Sequence, residues 1–420
     1  IGALDGEPIR FLRDHISDFG GEGHCTLIGG GRTSPDRAAL YNSALVRYLD
    51  FNDFYLAKGE SCHPSDNLGP VLAASEYARG SGTELLTALA VAYQVQCRLS
   101  DVAPVRAKGF DHTTQGSYAV AAGVSKALGL DALRTTNAIA LSGTPFNALR
   151  VTRTGALSHW KGLAYPNTAF SCTHATFLAM RGVTGPPEVF EGNKGFMDSI
   201  AGRFSIDWSL EGLDRILLTE VKKYNAEGHS QQTIEGILEL KDEHGFSAGE
   251  VAQIDIETFD VAYNIIGGGE EGDKTIVQNK EQADHSLHYM VAVAILDGTV
   301  MPDQYLPERI EMEDVQDLLK RVVVRPNDSY SERFPDEMPT LVRLTLRNGK
   351  VLVKEKTGYE GFHTDPIGWE SVVDKFEVLT APYTDASLRR DIVDAVRGLD
   401  ALAVKDFAGL LASVRTPADS

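Results

Sequence analysis

Two short stretches near the start of the chain crowd together acid, imidazole and amide groups: Asp50-Phe51-Asn52-Asp53, then His63-Pro64-Ser65-Asp66-Asn67-Leu68-Gly69. Groups this close in sequence can share one pocket wall. Removing a carbon-bound proton beside a carboxylate needs a positioned base, and expelling hydroxide needs an acid; His and Asp supply both. A competing reading makes Ser65, Asp66 and Asn67 caps for the helix-like run that follows, with Asp50 and Asp53 solvated.

A second cluster places Arg150 and Arg153 shortly before Ser158-His159-Trp160-Lys161. Two Arg and one Lys so close together in an acidic protein can hold carboxylates, the Arg side chains in bidentate fashion and Lys as a mobile point charge. The alternative is a solubilising surface. A third cluster, Glu227-Gly228-His229-Ser230-Gln231-Gln232, opens a helix whose N-terminus favours an anion. Asp284-His285-Ser286-Leu287-His288-Tyr289 is a fourth, and His112 stands between Asp111 and Thr113.

Other chemistries find no support. Gly29-Gly30-Gly31 and Gly267-Gly268-Gly269 lack phosphate-loop spacing, the second being followed by Asp273 ahead of Lys274, so both read as plain loops. There is no G-x-G-x-x-G between strand and helix and no H-E-x-x-H. The four cysteines, Cys25, Cys62, Cys97 and Cys172, lie far apart with no C-x-x-C pair, which suggests neither a disulfide framework nor a zinc ribbon nor an iron–sulfur cluster.

Such groups need elements to hold them. From Leu40 to Gly182 the spacing is helical. Gly80-Ser81-Gly82-Thr83 ends one helix and caps the next, Glu84 to Leu99, where Leu85, Leu86, Leu89, Tyr93 and Cys97 recur at helical intervals. Tyr118 to Leu128 is small and apolar, as in a helix enclosed by others, and Gly129 caps it before a further helix from Ala132 to Leu141. A helical bundle is the sum of these.

After Val221 the pattern becomes mixed. A helix from Gln231 to Leu240 precedes a strand pattern at Glu250 to Val261 and another at Val322 to Val324. Val342, Leu344 and Leu346 then alternate with polar residues up to an Asn348-Gly349 turn, predicting a hairpin over Leu341 to Val353. Helical spacing returns from Trp369. The expected architecture is a large all-helical domain (1–220), a smaller α+β domain (221–366), and C-terminal helices (367–420) that rejoin the first domain.

With 420 residues, 43% hydrophobic and 24% charged, the chain can bury a large core. A formal net charge of -19 argues against nucleic acids and anionic membranes as partners. No apolar run approaches the length of a membrane span and the start does not resemble a signal peptide, so a cytoplasmic protein is expected.

Taken in order, the clusters resemble the MmgE/PrpD family, which contains 2-methylcitrate dehydratase, cis-aconitate decarboxylase and some epimerases. The resemblance runs over nearly the whole chain. It begins at Tyr41-Asn42-Ser43-Ala44 and Asp50 to Asp53, and passes through His63 to Gly69, Gly109-Phe110-Asp111-His112-Thr113 and Leu157 to Gly162. Thr184-Gly185-Pro186, His229-Ser230-Gln231, Asp284-His285 with Tyr289 to Ala292, and Val373 to Phe376 complete it. The H-P-S-D-N-L-G form, the N-A-E-x-H-S-Q segment and the D-H-x-x-x-Y-M-V-A segment are most similar to the 2-methylcitrate dehydratase branch. Phe54 departs from the pattern, since many members carry Thr there. The resemblance also implies a helical segment ahead of Ile1.

What the resemblance implies is a cofactor-free, metal-independent hydro-lyase, a homodimer with its site in a cleft between the domains, acting on a 2-methylcitrate-like di- or tricarboxylate. Asp50, His63, His112, Lys161, His229 and Tyr289 are its expected catalytic residues, with Ser65, Asn67, Arg150 and Arg153 binding substrate. On this view His63, oriented by Asp50, takes the proton, and His112, Tyr289 or His229 protonates the departing hydroxide. Lys161, Arg150 and Arg153 stabilise the enolate-like charge. Decarboxylation and epimerisation are the nearest alternatives, because each passes through a similar carbanion, and a non-catalytic member that binds carboxylates is the remaining one.

Overall fold

The computed structural model describes residues 1–154 and 157–415, which form two compact units. The first comprises Ile1–Arg153, His159–Thr219 and the stretch from Gly368 onward; the second is built on Glu220–Ile367. No helix among the described residues is long and apolar enough to cross a membrane.

The first unit is helical. Its centre is the helix Thr113–Ala127, in which every residue from Thr113 to Ser125 is buried. Small side chains allow this helix to be enclosed on all sides, with Gly82–Val102, Ala132–Gly143 and Trp160–Met180 packed against it. At Gly116 a Cβ would stand 2.5 Å from the Tyr165 ring, so glycine is what lets that ring reach the enclosed face. Pro35–Tyr48 lies between Leu68–Tyr77 and Trp160–Met180.

The expected breaks have clear causes. Ser81 and Glu84 form a reciprocal capping box at the start of Gly82–Val102, Oγ accepting from the Glu84 N–H and the Glu84 carboxylate accepting from the Ser81 N–H at 2.7 Å. Gly29, Gly30 and Gly31, with φ of 87°, 97° and 84°, close the turn between the short antiparallel strands Cys25–Thr26 and Arg32–Thr33. That turn requires the left-handed region, which explains the glycines without any phosphate.

The C-terminal helices Trp369–Thr380, Ala386–Arg397 and Val404–Ala412 belong to this unit. Ile392, Leu399, Val404, Phe407 and Leu411 share a core with Ile9, Leu45, Leu72 and Leu85. The junction is close: Gly82 N–H donates to the Leu402 carbonyl at 2.7 Å, and a Cβ on Gly82 would fall 1.6 Å from the Leu399 carbonyl oxygen.

The second unit is α+β. Its four-stranded sheet has the order Val322–Pro326, Val251–Thr258, Thr340–Leu346, Val351–Lys356, with the first pair parallel and the others antiparallel. Val342, Leu344 and Leu346 point into the core, as their alternation requires, and Gly349 at φ 86° turns the hairpin. The helix Gln231–His244 covers one sheet face and also packs on Leu287–Asp297. The molecule is thus a large helical domain joined to a smaller α+β domain.

Gly82→Ala forces the C-terminal segment away from its seat and should cost about 1 to 3 kcal/mol, the range for overpacking a filled site. Gly409, whose added Cβ meets nothing within 4 Å in the Val404–Ala412 helix, is the control: Gly409→Ala should be neutral or stabilising. Urea midpoints measured side by side decide this, and equal midpoints for the two variants would contradict the packing described.

Candidate active site

A short hairpin delivers His63. Strands Asp53–Ala57 and Glu60–Cys62 pair antiparallel, Tyr55 opposite Cys62, so the residue after the second strand returns alongside the residue that starts the first. His63 Nδ1 lies 2.7 Å from the Asp53 main-chain carbonyl oxygen. A carbonyl oxygen only accepts, so Nδ1 carries the hydrogen, and in the neutral ring the lone pair is on Nε2. Asp53 is itself anchored, its carboxyl accepting from the Tyr93 hydroxyl at 2.7 Å and the Ser65 N–H at 3.1 Å. Burial pushes the Asp53 carboxyl above the usual range, partly offset by those hydrogen bonds.

Asp50 was expected to orient His63, but the bond that fixes Nδ1 comes from Asp53. The Asp50 carboxylate instead faces two cations, Arg47 Nη1 at 3.0 Å and Lys161 Nζ at 3.4 Å, and all three side chains are buried. Asp50 sits in the left-handed region at φ 54°, which Asp tolerates better than most residues. The solvated alternative for Asp50 and Asp53 does not hold, since both are buried. Pairing is what makes burial of the Asp50 and Lys161 charges tolerable.

His112 forms the next wall. Its ring centroid is 5.4 Å from that of His63 in an edge-on arrangement, and it stacks on Tyr165 at 6.2 Å. Nδ1 lies 3.3 Å from Asp111 Oδ1. Asp111 is fully buried and is held by Arg153 Nε at 2.5 Å, with Arg150 Nη1 at 3.9 Å. Burial alone would raise the Asp111 carboxyl, but Arg153, His112 and Arg150 outweigh it and hold it far below the usual carboxylate range. The two arginines are therefore no solubilising surface, with side chains only 9% and 18% exposed.

Ser65 and Asn67 are less available than the sequence suggested. Ser65 Oγ accepts from Asn52 Nδ2 at 3.0 Å. Asn67, expected to bind substrate, is fully buried; its amide donates to the Pro64 carbonyl and Gln96 Oε1, and its oxygen accepts from the Tyr165 hydroxyl. With donors and acceptor all engaged, Asn67 ties three helical segments together and has nothing left to offer a ligand. Neither is it a helix cap, as its side chain makes no capping bond.

His229 and Tyr289 belong to the second unit. His229 Nδ1 lies 2.7 Å from Glu227 Oε1, and its ring lies beside the stacked rings of Phe259 and Phe334, at 5.7 Å and 5.8 Å. Tyr289 is placed differently: its hydroxyl donates to the Gln304 carbonyl and its ring lies beside Tyr305, wholly buried. Burial raises the phenol above its ordinary range. A hydroxyl so enclosed and so committed is not set up as the acid expected of it.

The motif model described as the MmgE/PrpD N-terminal domain matches residues 1–209, and that of the MmgE/PrpD C-terminal domain matches residues 224–401. The chain belongs to the MmgE/PrpD family. Within the family it is 28% identical over 414 residues to a 2-methylcitrate dehydratase of Cupriavidus necator, covering 90% of this chain and 82% of that one. It is 26% identical over 353 residues to the mitochondrial 2-methylcitrate dehydratase of Yarrowia lipolytica, 78% of this chain and 66% of that one. A cis-aconitate decarboxylase of Mus musculus is 25% identical over 379 residues, 82% of this chain and 72% of that one.

Several polar residues of these clusters carried no catalytic role in the sequence reading. Asp66 stands beside His112, with a carboxylate oxygen 3.9 Å from Nε2. Glu227 flanks His229, and Lys222, 1% exposed, bears on Glu227 together with His285. The signal available was sequence proximity to His229 alone. Burial by itself would raise the Glu227 carboxyl, but the charge and hydrogen bond of His229, with His285 and Lys222, bring it from 4.5 down to about 2.

A depressed carboxyl stabilises the folded state above its ordinary range and loses that contribution as pH falls through the folded value. The contribution of Glu227, on the order of 3 kcal/mol, should therefore be complete at pH 7 and fade between about 4.5 and about 2. Urea unfolding of the parent and Glu227→Gln should show a gap that is widest near neutrality and closes across that window. A gap independent of pH would contradict the pairing.

Proposed function

We propose that this chain is a lyase that dehydrates a 2-methylcitrate-like tricarboxylate by general acid and base catalysis. The observation that carries the reading is the pair of edge-on histidine rings, 5.4 Å apart, each beside different hydrogen-bonding groups. His63 has its lone pair on Nε2 because Nδ1 is taken by the Asp53 carbonyl. His112 has a carboxylate oxygen near each nitrogen, Asp111 at 3.3 Å and Asp66 at 3.9 Å, which favours the form with two N–H donors. One ring is prepared to take a proton and its neighbour to give one.

In the reaction His63 Nε2 removes the proton from the carbon beside a substrate carboxylate. Charge that moves onto that carboxylate is stabilised by Lys161, which Asp50 keeps in place, and by Arg150. Arg153, committed to Asp111, contributes through that carboxylate and not by direct contact. His112 then protonates the departing hydroxide, so that water leaves and a carbon–carbon double bond forms. The names of the Cupriavidus necator and Yarrowia lipolytica relatives support the substrate class. The mouse decarboxylase, of similar identity, keeps loss of CO2 from a cis-aconitate-like acid as the second reading.

Offered 2-methylcitrate, the protein should produce rising ultraviolet absorbance from the conjugated double bond, unaffected by chelator. His63→Gln and Lys161→Ala should each lower kcat at least about 100-fold, and a loss below about threefold would remove that residue from the mechanism. Release of CO2 from cis-aconitate without the absorbance rise would favour the decarboxylase.

We also propose that the chain works as a homodimer. Trp208, Leu210, Leu213, Leu217 and Leu218 form an exposed apolar run along one segment of the helical unit, with Leu210 83% and Leu217 75% exposed. Single exposed apolar residues are ordinary, whereas several close together in one segment support an association surface. Sedimentation equilibrium should give twice the chain mass, reduced toward the monomer by Leu210→Glu with Leu217→Glu; a monomeric parent would rule this out.

A further inference from the structure

Asp66 is fully buried. One oxygen accepts from Asn52 Nδ2 at 3.3 Å. The other is enclosed without a hydrogen-bond partner and lies 3.9 Å from His112 Nε2, which is enclosed and unpartnered in the same way. On the opposite side of the ring, Nδ1 lies 3.3 Å from Asp111 Oδ1. A neutral imidazole has one N–H and one lone pair, so between two carboxylates it must turn a lone pair toward one of them, in a space that water does not reach. Imidazolium, with a donor on each nitrogen, satisfies both.

The two carboxylates are not equivalent. Asp111 has cations of its own, Arg153 at 2.5 Å and Arg150 at 3.9 Å. Among the described residues no Lys or Arg stands within ion-pair distance of Asp66, whose one charged neighbour of opposite sign is the His112 ring. The other groups around that ring are the His63 ring, edge-on at 5.4 Å, and Tyr165, stacked at 6.2 Å. Burial pushes the Tyr165 phenol far above its ordinary range, so it stays neutral, and its hydroxyl is bonded to Asn67.

We propose that Asp66 is the positioning carboxylate that keeps His112 in its proton-donating form, a slight turn of the ring closing the 3.9 Å gap to a direct hydrogen bond. The proposal rests on the reading of His112 as the acid. Asp66 does not touch the reacting atoms; it acts through His112 alone. The proton that His112 gives up is the one on Nδ1, whose neighbour Asp111 keeps Arg153 and Arg150 as partners, while Nε2–H stays on Asp66; the Asp66 charge then favours return of a proton to the ring.

The test uses Asp66→Asn, which keeps shape and the acceptor for Asn52. In the resting protein, imidazole nitrogen shifts followed by NMR across pH should show His112 losing its second proton about one to three pH units lower in the variant than in the parent, the range for removing an opposite charge at this distance. Asp66→Ser, which removes the same charge with a smaller side chain, should move it the same way. An unmoved midpoint in both overturns the proposal.

With 2-methylcitrate, kcat of Asp66→Asn should fall at least about tenfold, with the alkaline limb of its profile moved to lower pH. In a His112→Asn background the same change should cost nothing further. An equal loss at every pH that persists in that background means a merely structural role and also overturns it. An NMR shift in a protein that turns over neither 2-methylcitrate nor cis-aconitate supports the Asp66–His112 pairing while sinking the proposed reaction.

Discussion

A carbonyl oxygen can accept a hydrogen bond and can never donate one, and the rest of the site depends on this where the Asp53 carbonyl meets His63 Nδ1. That bond decides which ring nitrogen is basic. It exists because a tight antiparallel hairpin brings the residue after its second strand back beside the residue that opens the first. Tyr93, from the Gly82–Val102 helix, and the Ser65 N–H then pin the Asp53 side chain, so the carbonyl cannot rotate away. The helical bundle reaches His63 through this anchor.

Around that bond the unit buries carboxylates, and two of them are matched by cations. Asp50 meets Arg47 and Lys161; Asp111 meets Arg153, Arg150 and His112. Unmatched, any of these carboxylates would take up a proton or unfold its surroundings. A chain with a net charge of -19 can in this way hold cationic side chains together at one place.

Much of this was legible in the sequence. Periodicity gave the helices and the Leu341 to Val353 hairpin because Val342, Leu344 and Leu346 bury on one face and the Asn348-Gly349 turn leaves little choice of register. Residue type and proximity located the clusters around Asp50, His63, His112 and Lys161. Partners were not legible, because main-chain atoms and distant contacts leave no mark in a local pattern. His63 is oriented by a carbonyl and not by Asp50. Asn67 is consumed by Gln96 and Tyr165, and the Tyr289 hydroxyl by the carbonyl of Gln304. Asp66, which looked like a helix cap, faces His112 instead.

Neutron diffraction from a deuterium-exchanged crystal of the resting enzyme tests the central claim most directly, since it locates the hydrogens that assign base and acid. Deuterium on His63 Nδ1 with a bare Nε2, and deuterium on both nitrogens of His112, is the predicted result. Deuterium on His63 Nε2 with a bare Nδ1 would contradict it, because His63 could not then accept the substrate proton in the geometry described.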